Sequence, residues 1–224
     1  GEGWQLRQSK RAPDRQATDD TLFALANGSL GVRGGGEECA DGDGCFLAGA
    51  FERHAIHYHE RFPGFARSTD TRVPVADGRR IRILLDGAPL DLDACEWLHF
   101  ERVLDLRTGR LQGRLRVRIP TGEVLQIDSD RIVADDRDLL AIRYRVASET
   151  WQGRLTLESS LASGHRAAAQ GDDPRIGTTG GDALPTHASH ADETGAVLLQ
   201  ATRHSGIAIH CAQAHRLQDG LRFA

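Results

Sequence analysis

The feature that most constrains the fold of this chain is an alternation of apolar and polar side chains that recurs along its length. An alternation with a period of two places one set of side chains on each face of an extended strand, so it predicts half-buried β-strands. Many of the polar positions are arginines, which we expect on the solvent side. The segments that show the pattern are 80–85, 111–119, 124–127, 139–146, 153–161 and 206–211.

Turn signals separate these segments and favour an antiparallel all-β fold. Asp-Gly, Thr-Gly and Pro-Thr-Gly runs lie between them, so that strands recur roughly every 10 to 15 residues with short turns. We therefore predict a large antiparallel β-sandwich, a single domain over residues 1–224, with no long amphipathic helix. Residues 54–76 and 163–195 break the pattern, and we predict long irregular loops there.

The composition argues against several classes of function. A net charge of −4 and an isoelectric point near 6.2 give no electrostatic footprint for nucleic acid. No apolar run approaches the roughly 20 residues needed to cross a bilayer, and no secretory leader opens the chain, so we expect a cytoplasmic protein without a membrane partner. The four cysteines lack the spacing of a metal motif or of a disulfide framework. Because the chain has no methionine and starts at Gly1, we expect it to be part of a longer protein.

A β-hairpin is predicted within residues 21–38. The apolar run 22–26 indicates a buried strand, and a second strand is expected over residues 29–32. Between them, Asn27 and Gly28 form a strong turn signal because both residue types tolerate positive φ.

The hairpin leads into an arginine, a triple glycine and two glutamates. Arg33 could donate hydrogen bonds to hydroxyl or phosphate oxygens, and the glycines from Gly34 onward could let a ligand approach the backbone. The alternatives are that the glycines serve close backbone packing or positive-φ turns, and that Arg33 pairs with Glu37 or Glu38 and ties the loop down. The lysine and the following helix of a nucleotide-binding P-loop are missing.

Two other kinds of cluster were considered for chemistry. The histidines at 54, 57 and 59, followed by Glu60, match no standard metal spacing, and ten histidines in the chain make chance clusters common. We therefore predict no metal site. Acidic pairs are inevitable among 32 acidic residues, and no catalytic residue is predicted in this chain.

A set of short strings carries a resemblance to a known family. The most specific is Asn-Gly-x-Leu-Gly-x-Arg-Gly at residues 27–34, followed by Glu38. With it, the chain resembles the N-terminal domain of the family 65 glycoside hydrolases and phosphorylases, the maltose, trehalose and kojibiose phosphorylase group. The other matching strings lie at residues 4–6, 46–51, 83–92, 103–109, 129–131, 140–144, 155–159 and 202–207.

The resemblance implies a β-supersandwich similar to the galactose mutarotase fold, placed before an (α/α)6 barrel that is not in this chain. In the family, one glutamate of that barrel acts as general acid while phosphate or water attacks the anomeric carbon with inversion. The chain would then be a non-catalytic domain that braces its own C-terminal barrel, helps to form a homodimer and lends a loop to the active-site rim. The substrate would be a disaccharide such as maltose or trehalose, and inorganic phosphate would be the co-substrate of a phosphorylase; no cofactor is expected.

Within this interpretation, five residues are candidates for a substrate rim or a domain interface. They are Asn27, Gly28, Arg33, Gly34 and Glu38. The resemblance leaves open both the disaccharide and the choice between phosphorolysis and hydrolysis.

Two other functions were weighed against this one. A stand-alone carbohydrate-binding module would use exposed aromatic residues, but Trp4, Trp97 and Trp151 lie in strand-like contexts where burial is expected. A mutarotase-type aldose epimerase would need a His/Glu pair, for which His99 and Glu101 could share a strand face, on fold analogy alone.

Overall fold

The computed structural model of the chain describes residues 2–39, 44–58, 60, 62–148, 150–162 and 183–218. These ranges contain sixteen strands and one short α-helix, α1 (Gln16–Leu22), so the predicted all-β fold is confirmed. The first eight strands are β1 (Gln5–Gln8), β2 (Leu25–Ala26), β3 (Leu30–Val32), β4 (Cys45–Leu47), β5 (Phe51–Ala55), β6 (Ser68–Arg72), β7 (Ile81–Leu85) and β8 (Ala88–Pro89). The others are β9 (Glu96–Asp105), β10 (Arg110–Arg118), β11 (Val124–Val133), β12 (Leu140–Ser148), β13 (Leu155–Ser159), β14 (Thr186–Asp192), β15 (Gly195–Ala201) and β16 (Ala208–Ala214).

The chain divides into two compact units. The first unit comprises Gly1–Ala40 and Ile81–Ser159, and the second unit comprises Asp41–Arg80 and Ser160–Ala224. Among the described residues, no helix has the length and apolar character that crossing a membrane requires.

The first unit contains an antiparallel β-sandwich. Its larger sheet has the strand order β1-β9-β10-β11-β12, and its smaller sheet has the order β13-β7-β8. Ile83 of the smaller sheet packs in one core cluster with Val117 and Leu125 of the larger sheet. Burial of these aliphatic side chains between two sheets supplies most of the driving force for such a fold.

The alternation in the sequence corresponds to the two faces of the larger sheet. On β10, Leu115 and Val117 are buried while Arg116 and Arg118 are exposed. Leu115 lies opposite Ile127 of β11 in the antiparallel register, so the apolar positions of neighbouring strands meet on one inner face.

The second unit is built from smaller β elements. It contains the β5–β6 hairpin and the three-stranded antiparallel sheet β14-β15-β16. The buried carboxylate of Glu52 accepts backbone N–H groups of His204 and Ser205 at 2.9–3.1 Å. Burial works against the charged form of Glu52, but these hydrogen bonds outweigh it and the pKa of Glu52 is lowered.

Both predicted irregular loops contain a strand that the sequence pattern did not indicate. Within 54–76, β6 pairs with β5 over its whole length. Within 163–195, β14 pairs with β15. Both predictions were wrong at these strands because β14 is exposed at every position and β6 is polar throughout, so neither shows an apolar period. Residues 163–182 lie outside the described part of the chain.

The apolar run 22–26 was also predicted too simply. Leu22 is the last residue of α1 and is largely exposed, and only Leu25 and Ala26 form a strand. The rest of the hairpin is as predicted, since Leu25 pairs with Val32 and Ala26 with Gly31.

The core of the first unit yields a stability prediction. Leu125 is fully buried, so Leu125→Ala leaves a cavity and is expected to lower the free energy of unfolding by about 2–5 kcal/mol. The matched control is Leu106→Ala, at a side chain that is 57% exposed, for which we expect a change within about 0.5 kcal/mol. Urea denaturation measures both, and equal effects would contradict the assignment of the core.

Candidate functional site

The candidate site is the loop that follows the β2–β3 hairpin, together with the part of the larger sheet beneath it. We call residues 33–39 the signature loop. Four directly opposed residues cross the sheet below it, one on each of the strands β9 to β12: Arg102, Gly113, Ser129 and Tyr144. Directly opposed residues in neighbouring strands project to the same face, so these four form a polar row on the inner face.

Arg102 attaches the signature loop to β9. Its Nη1 donates to the carbonyl oxygen of Gly34 at 2.7 Å and to Asp20 Oδ1 at 2.9 Å. Its Nε donates to Gln8 Oε1 at 3.0 Å. The guanidinium therefore holds the loop, helix α1 and strand β1 together around one buried charge.

Arg131 of β11 attaches the loop at three further points. Its Nη1 donates to the carbonyl oxygen of Arg33 at 2.9 Å, and its Nη2 donates to that of Gly35 at 2.7 Å. The same Nη2 lies 2.9 Å from Glu37 Oε1, and both side chains are almost fully buried. Removing either member of such a buried pair is strongly destabilising, because it leaves the other charge uncompensated in the core.

Glu38 is held by the last member of the polar row. Tyr144 Oη donates to Glu38 Oε1 at 2.5 Å. The pKa of Glu38 is raised to about 7, firstly by burial and secondly by the negative charge of Glu37, despite the hydrogen bond from Tyr144. Burial and the charge of Glu38 in turn raise the pKa of the Tyr144 hydroxyl.

The described contacts of the Arg33 side chain are made with helix α1. Its Nη2 donates to the carbonyl oxygen of Ala17 at 2.6 Å and to Thr21 Oγ1 at 3.3 Å, both in helix α1. The ion pair with Glu37, which the sequence assigned to Arg33 as one alternative, is formed by Arg131. The signature arginine thus braces the helix, while the loop is fixed from below by an arginine of the sheet.

Asn27 and Gly28 form the predicted turn, but only one of them has the positive φ that both residue types tolerate. Gly28 has the positive φ, at +94°. Asn27 instead accepts the backbone N–H groups of Ser29 and Leu30 on its Oδ1, at 2.9 and 2.7 Å. Its Nδ2 donates to the carbonyl oxygens of Ala134 and Arg137, which ties the hairpin to the segment after β11. An asparagine side chain that mimics the backbone in this way is a common turn device.

Gly34 is required by close packing. A Cβ at this position would lie 2.5 Å from both Cβ and the carbonyl oxygen of Phe23. The backbone of the loop therefore passes so near Phe23 that a side chain has no room. For Gly34, the alternative of close backbone packing describes what the structure shows.

The sequence interpretation missed Arg102, Arg131 and Tyr144. It placed the arginines of the strands in solvent, yet two of them face inward. A signal for Arg131 was present: counting in steps of two from the buried Leu125 and Ile127 places Ser129 and Arg131 on the inner face.

The other clusters considered in the sequence are not brought together as sites. His59 lies outside the described residues, and in the described part of the chain no three His, Cys, Asp or Glu side chains are grouped so as to hold a metal ion. His99 is exposed, and Glu101 of the same strand forms an ion pair with Arg7.

The tryptophans only partly match the predicted burial. Trp4 is 56% exposed, contrary to the prediction. Trp97 and Trp151 are half-buried against the core of the sandwich, and Trp97 Nε1 donates to the carbonyl oxygen of Leu92 at 2.9 Å.

Comparison with solved structures supports the fold class. A structure of a protein assigned as a kojibiose phosphorylase from human microbiome aligns with a TM-score of 0.79 and 17% sequence identity. The alignment covers 98% of this chain and 28% of that chain. At this level of identity the likeness concerns the fold, which is that of an N-terminal all-β portion of a much longer protein.

The chain belongs to glycosyl hydrolase family 65, whose N-terminal-domain model matches residues 6–222. It is 30% identical over 219 residues to an alpha,alpha-trehalose phosphorylase of Thermoanaerobacter brockii, covering 94% of this chain and 28% of that protein. It is 33% identical over 145 residues to a kojibiose phosphorylase of Caldanaerobacter subterraneus subsp. tengcongensis, covering 63% of this chain and 17% of that protein. The chain thus spans less than a third of the length of these relatives.

The buried pair beneath the signature loop yields the second prediction. Arg131→Met removes one charge and leaves Glu37 buried alone, so we expect a loss of about 3–5 kcal/mol in the free energy of unfolding. The double variant Arg131→Met/Glu37→Gln is expected to cost less than the two single changes added together. Arg137→Met removes an exposed arginine that pairs with Asp136, and serves as the control with an expected loss below about 1 kcal/mol. A single-variant loss no larger than the control would refute the role of Arg131.

The raised pKa of Glu38 yields a pH dependence. Because the folded state keeps a proton on Glu38 up to about pH 7, it binds more protons than the unfolded chain between the ordinary carboxyl pKa and that value. Stability from this group is therefore complete at low pH and is lost as the pH rises towards 7, by about 1–3 kcal/mol.

The variant Glu38→Gln is expected to flatten this part of the stability curve, measured by urea denaturation from pH 4 to 8. Glu193→Gln, at an exposed turn position, should leave the curve of the wild-type chain unchanged. If Glu38→Gln parallels the wild-type chain across the range, the assigned pKa is wrong.

Proposed function

We propose that this chain is the non-catalytic N-terminal domain of an inverting α-glucoside phosphorylase or hydrolase that acts on disaccharides such as maltose or trehalose. The observation that carries the proposal is that the polar groups of the signature loop are bound to residues of the sheet. Arg131 pairs with Glu37, Arg102 holds the Gly34 carbonyl and Tyr144 holds Glu38. Groups that are engaged in internal contacts serve the architecture of the domain, which supports a structural role over a catalytic one.

The partner of the domain is its own C-terminal catalytic barrel. A rigid hairpin suits a seam between domains, because a fixed backbone loses little conformational entropy when a second domain packs on it. Gly28 and Ser29 at the hairpin tip are exposed, while Asn27 behind them is locked by four hydrogen bonds. We place the seam at this tip, and the same domain would support a homodimer and the rim of the active site.

The names of the relatives support the proposed substrate class. The matched proteins include a trehalose phosphorylase and a kojibiose phosphorylase, which favours phosphorolysis with inorganic phosphate as co-substrate. The attacking phosphate, the general acid and the sugar site would all belong to the barrel.

The test is a comparison of the isolated chain with the whole protein. With trehalose, kojibiose or maltose and inorganic phosphate, the 224-residue chain is expected to release no glucose 1-phosphate, and it should not accelerate aldose mutarotation. Co-expressed with the remainder of the longer protein as a separate polypeptide, it should co-purify with it and restore turnover. Turnover by the isolated chain would overturn the non-catalytic assignment, and a C-terminal part that is stable and fully active without it would overturn the bracing role.

A further inference from the structure

Strand β12 lies at one end of the larger sheet, and one of its two edges has no strand beside it. In the described part of the chain, the strand order of this sheet ends at β12, which pairs with β11 alone. No backbone hydrogen bond joins its other edge to a further strand or loop among the described residues. Such an edge presents a row of backbone N–H and C=O groups with which an additional strand can pair.

The free edge of β12 is long and regular. The strand Leu140–Ser148 has nine residues and contains neither proline nor glycine. Its register with β11 runs without a bulge from Val133 opposite Leu140 to Leu125 opposite Ser148. Proteins commonly prevent further pairing with very short edge strands, prolines or bulges. Because β12 has none of these features, its backbone is suited to the addition of a strand.

The solvent face of β12 carries two arginines whose charges are not neutralised. Arg143 and Arg145 are exposed and lie opposite Asp130 and Asp128 of β11. Asp130, however, accepts hydrogen bonds from Nε and Nη2 of Arg110, both at 2.7 Å. Asp128 accepts a hydrogen bond from a glutamine amide of its own strand at 2.9 Å. Among the described residues, neither arginine of β12 has an ion-pair partner, so two positive charges stand two residues apart along the free edge.

The other face of β12 is apolar and only partly covered. Tyr144 and Val146 alternate with the arginines and pack half-buried against the core of the sandwich. A strand added at the edge would lie beside them and bury more of their apolar surface. On the opposite face, its alternate side chains would lie next to Arg143 and Arg145. The edge therefore favours a segment in which apolar and acidic residues alternate.

A second copy of β12 does not have this pattern. Two β12 strands paired antiparallel about Tyr144 would place Arg143 of each copy opposite Arg145 of the other. Like charges directly opposite each other destabilise a strand pair, whereas opposite charges stabilise it. Charge complementarity therefore favours an acidic segment over self-association.

We propose that the free edge of β12 is a docking site for an extended segment of another protein in which apolar and acidic residues alternate. The segment adds to the five-stranded sheet with its acidic side chains beside Arg143 and Arg145 and its apolar side chains beside Tyr144 and Val146. Docking involves no covalent step and does not depend on the proposed function. If the arginines served only to keep the edge solvated, no such segment would bind.

The test is an NMR titration of the ¹⁵N-labelled 224-residue chain with a capped peptide of about nine residues in which valine and glutamate alternate. We expect the backbone amide signals of Leu140–Ser148 to shift saturably, with a dissociation constant below about 1 mM. Hydrogen exchange of the outward-facing N–H groups of β12 should slow by at least about tenfold when the peptide is bound. A peptide with lysine in place of glutamate should not bind. Absence of a saturable shift at β12 up to about 3 mM glutamate peptide, or equal binding of the two peptides, would overturn the proposal.

Two double variants separate recognition by the edge from a general effect of net charge. Arg143→Glu/Arg145→Glu reverses the charge of the edge, and we expect it to bind the glutamate peptide at least about tenfold more weakly and to bind the lysine peptide instead. Lys10→Glu/Arg107→Glu makes the same change in net charge at exposed positions outside β12 and should leave the affinity unchanged. Should the reversed variant fail to fold, the comparison of the two peptides on the wild-type chain decides.

The same measurement distinguishes two other occupants of the edge. Protection of the β12 amides that rises with protein concentration in the absence of peptide would assign the edge to a second copy of the chain. Protection of these amides in the longer protein without peptide would assign the edge to the remainder of that polypeptide. Either result would overturn the proposal, and amides that stay unprotected until the peptide is added support it.

Discussion

The buried guanidinium of Arg131 is the interaction on which the rest of the site depends. It pairs with Glu37 and donates to two backbone carbonyls of the signature loop. A charge at this depth needs an opposite charge and hydrogen-bond acceptors, and the loop supplies one carboxylate and two carbonyl oxygens. The sheet and the loop therefore stabilise each other. The arginine fixes the backbone of the loop, and the loop compensates the buried charge of the arginine. Arg102 makes a similar set of contacts from β9, two strands away from β11, with Gly34, Asp20 and Gln8 as its partners.

Much of the fold could be predicted from the sequence because burial imposes a period. The long strands β10 and β11 have one buried and one more exposed face, and the alternation at Leu115, Arg116 and Val117 reflects this directly. The strands β6 and β14 could not be predicted in the same way. They are exposed or polar on both faces, so their pairing is set by hydrogen bonds to β5 and β15 and not by a pattern in their side chains.

The turn in the candidate segment was predictable from the sequence, but the contacts that fix the segment were not. The string from Asn27 to Gly34 predicted a turn, and Gly28 has the positive φ expected of it. The chemistry of the segment resides in residues far away in the sequence. Arg131 and Tyr144 reach the loop only after β11 and β12 have paired with the rest of the sheet, and a local string carries no information on such contacts. Membership of glycosyl hydrolase family 65 explains why the string is recognisable, while the contacts explain what holds it in place.

The bonds from the two buried arginines have a consequence for how this domain can vary. They end on the carbonyl oxygens of residues 33, 34 and 35, which every amino acid possesses. Over residues 33–35 the sheet thus recognises the course of the backbone, with a steric demand for glycine at 34, whereas at Glu37 and Glu38 it contacts the side chains. The side chain at position 33 can change without loss of these backbone attachments. Such backbone hydrogen bonds fix the shape of the loop independently of its surface chemistry. An outward-facing side chain can therefore be replaced while the buried attachments stay the same.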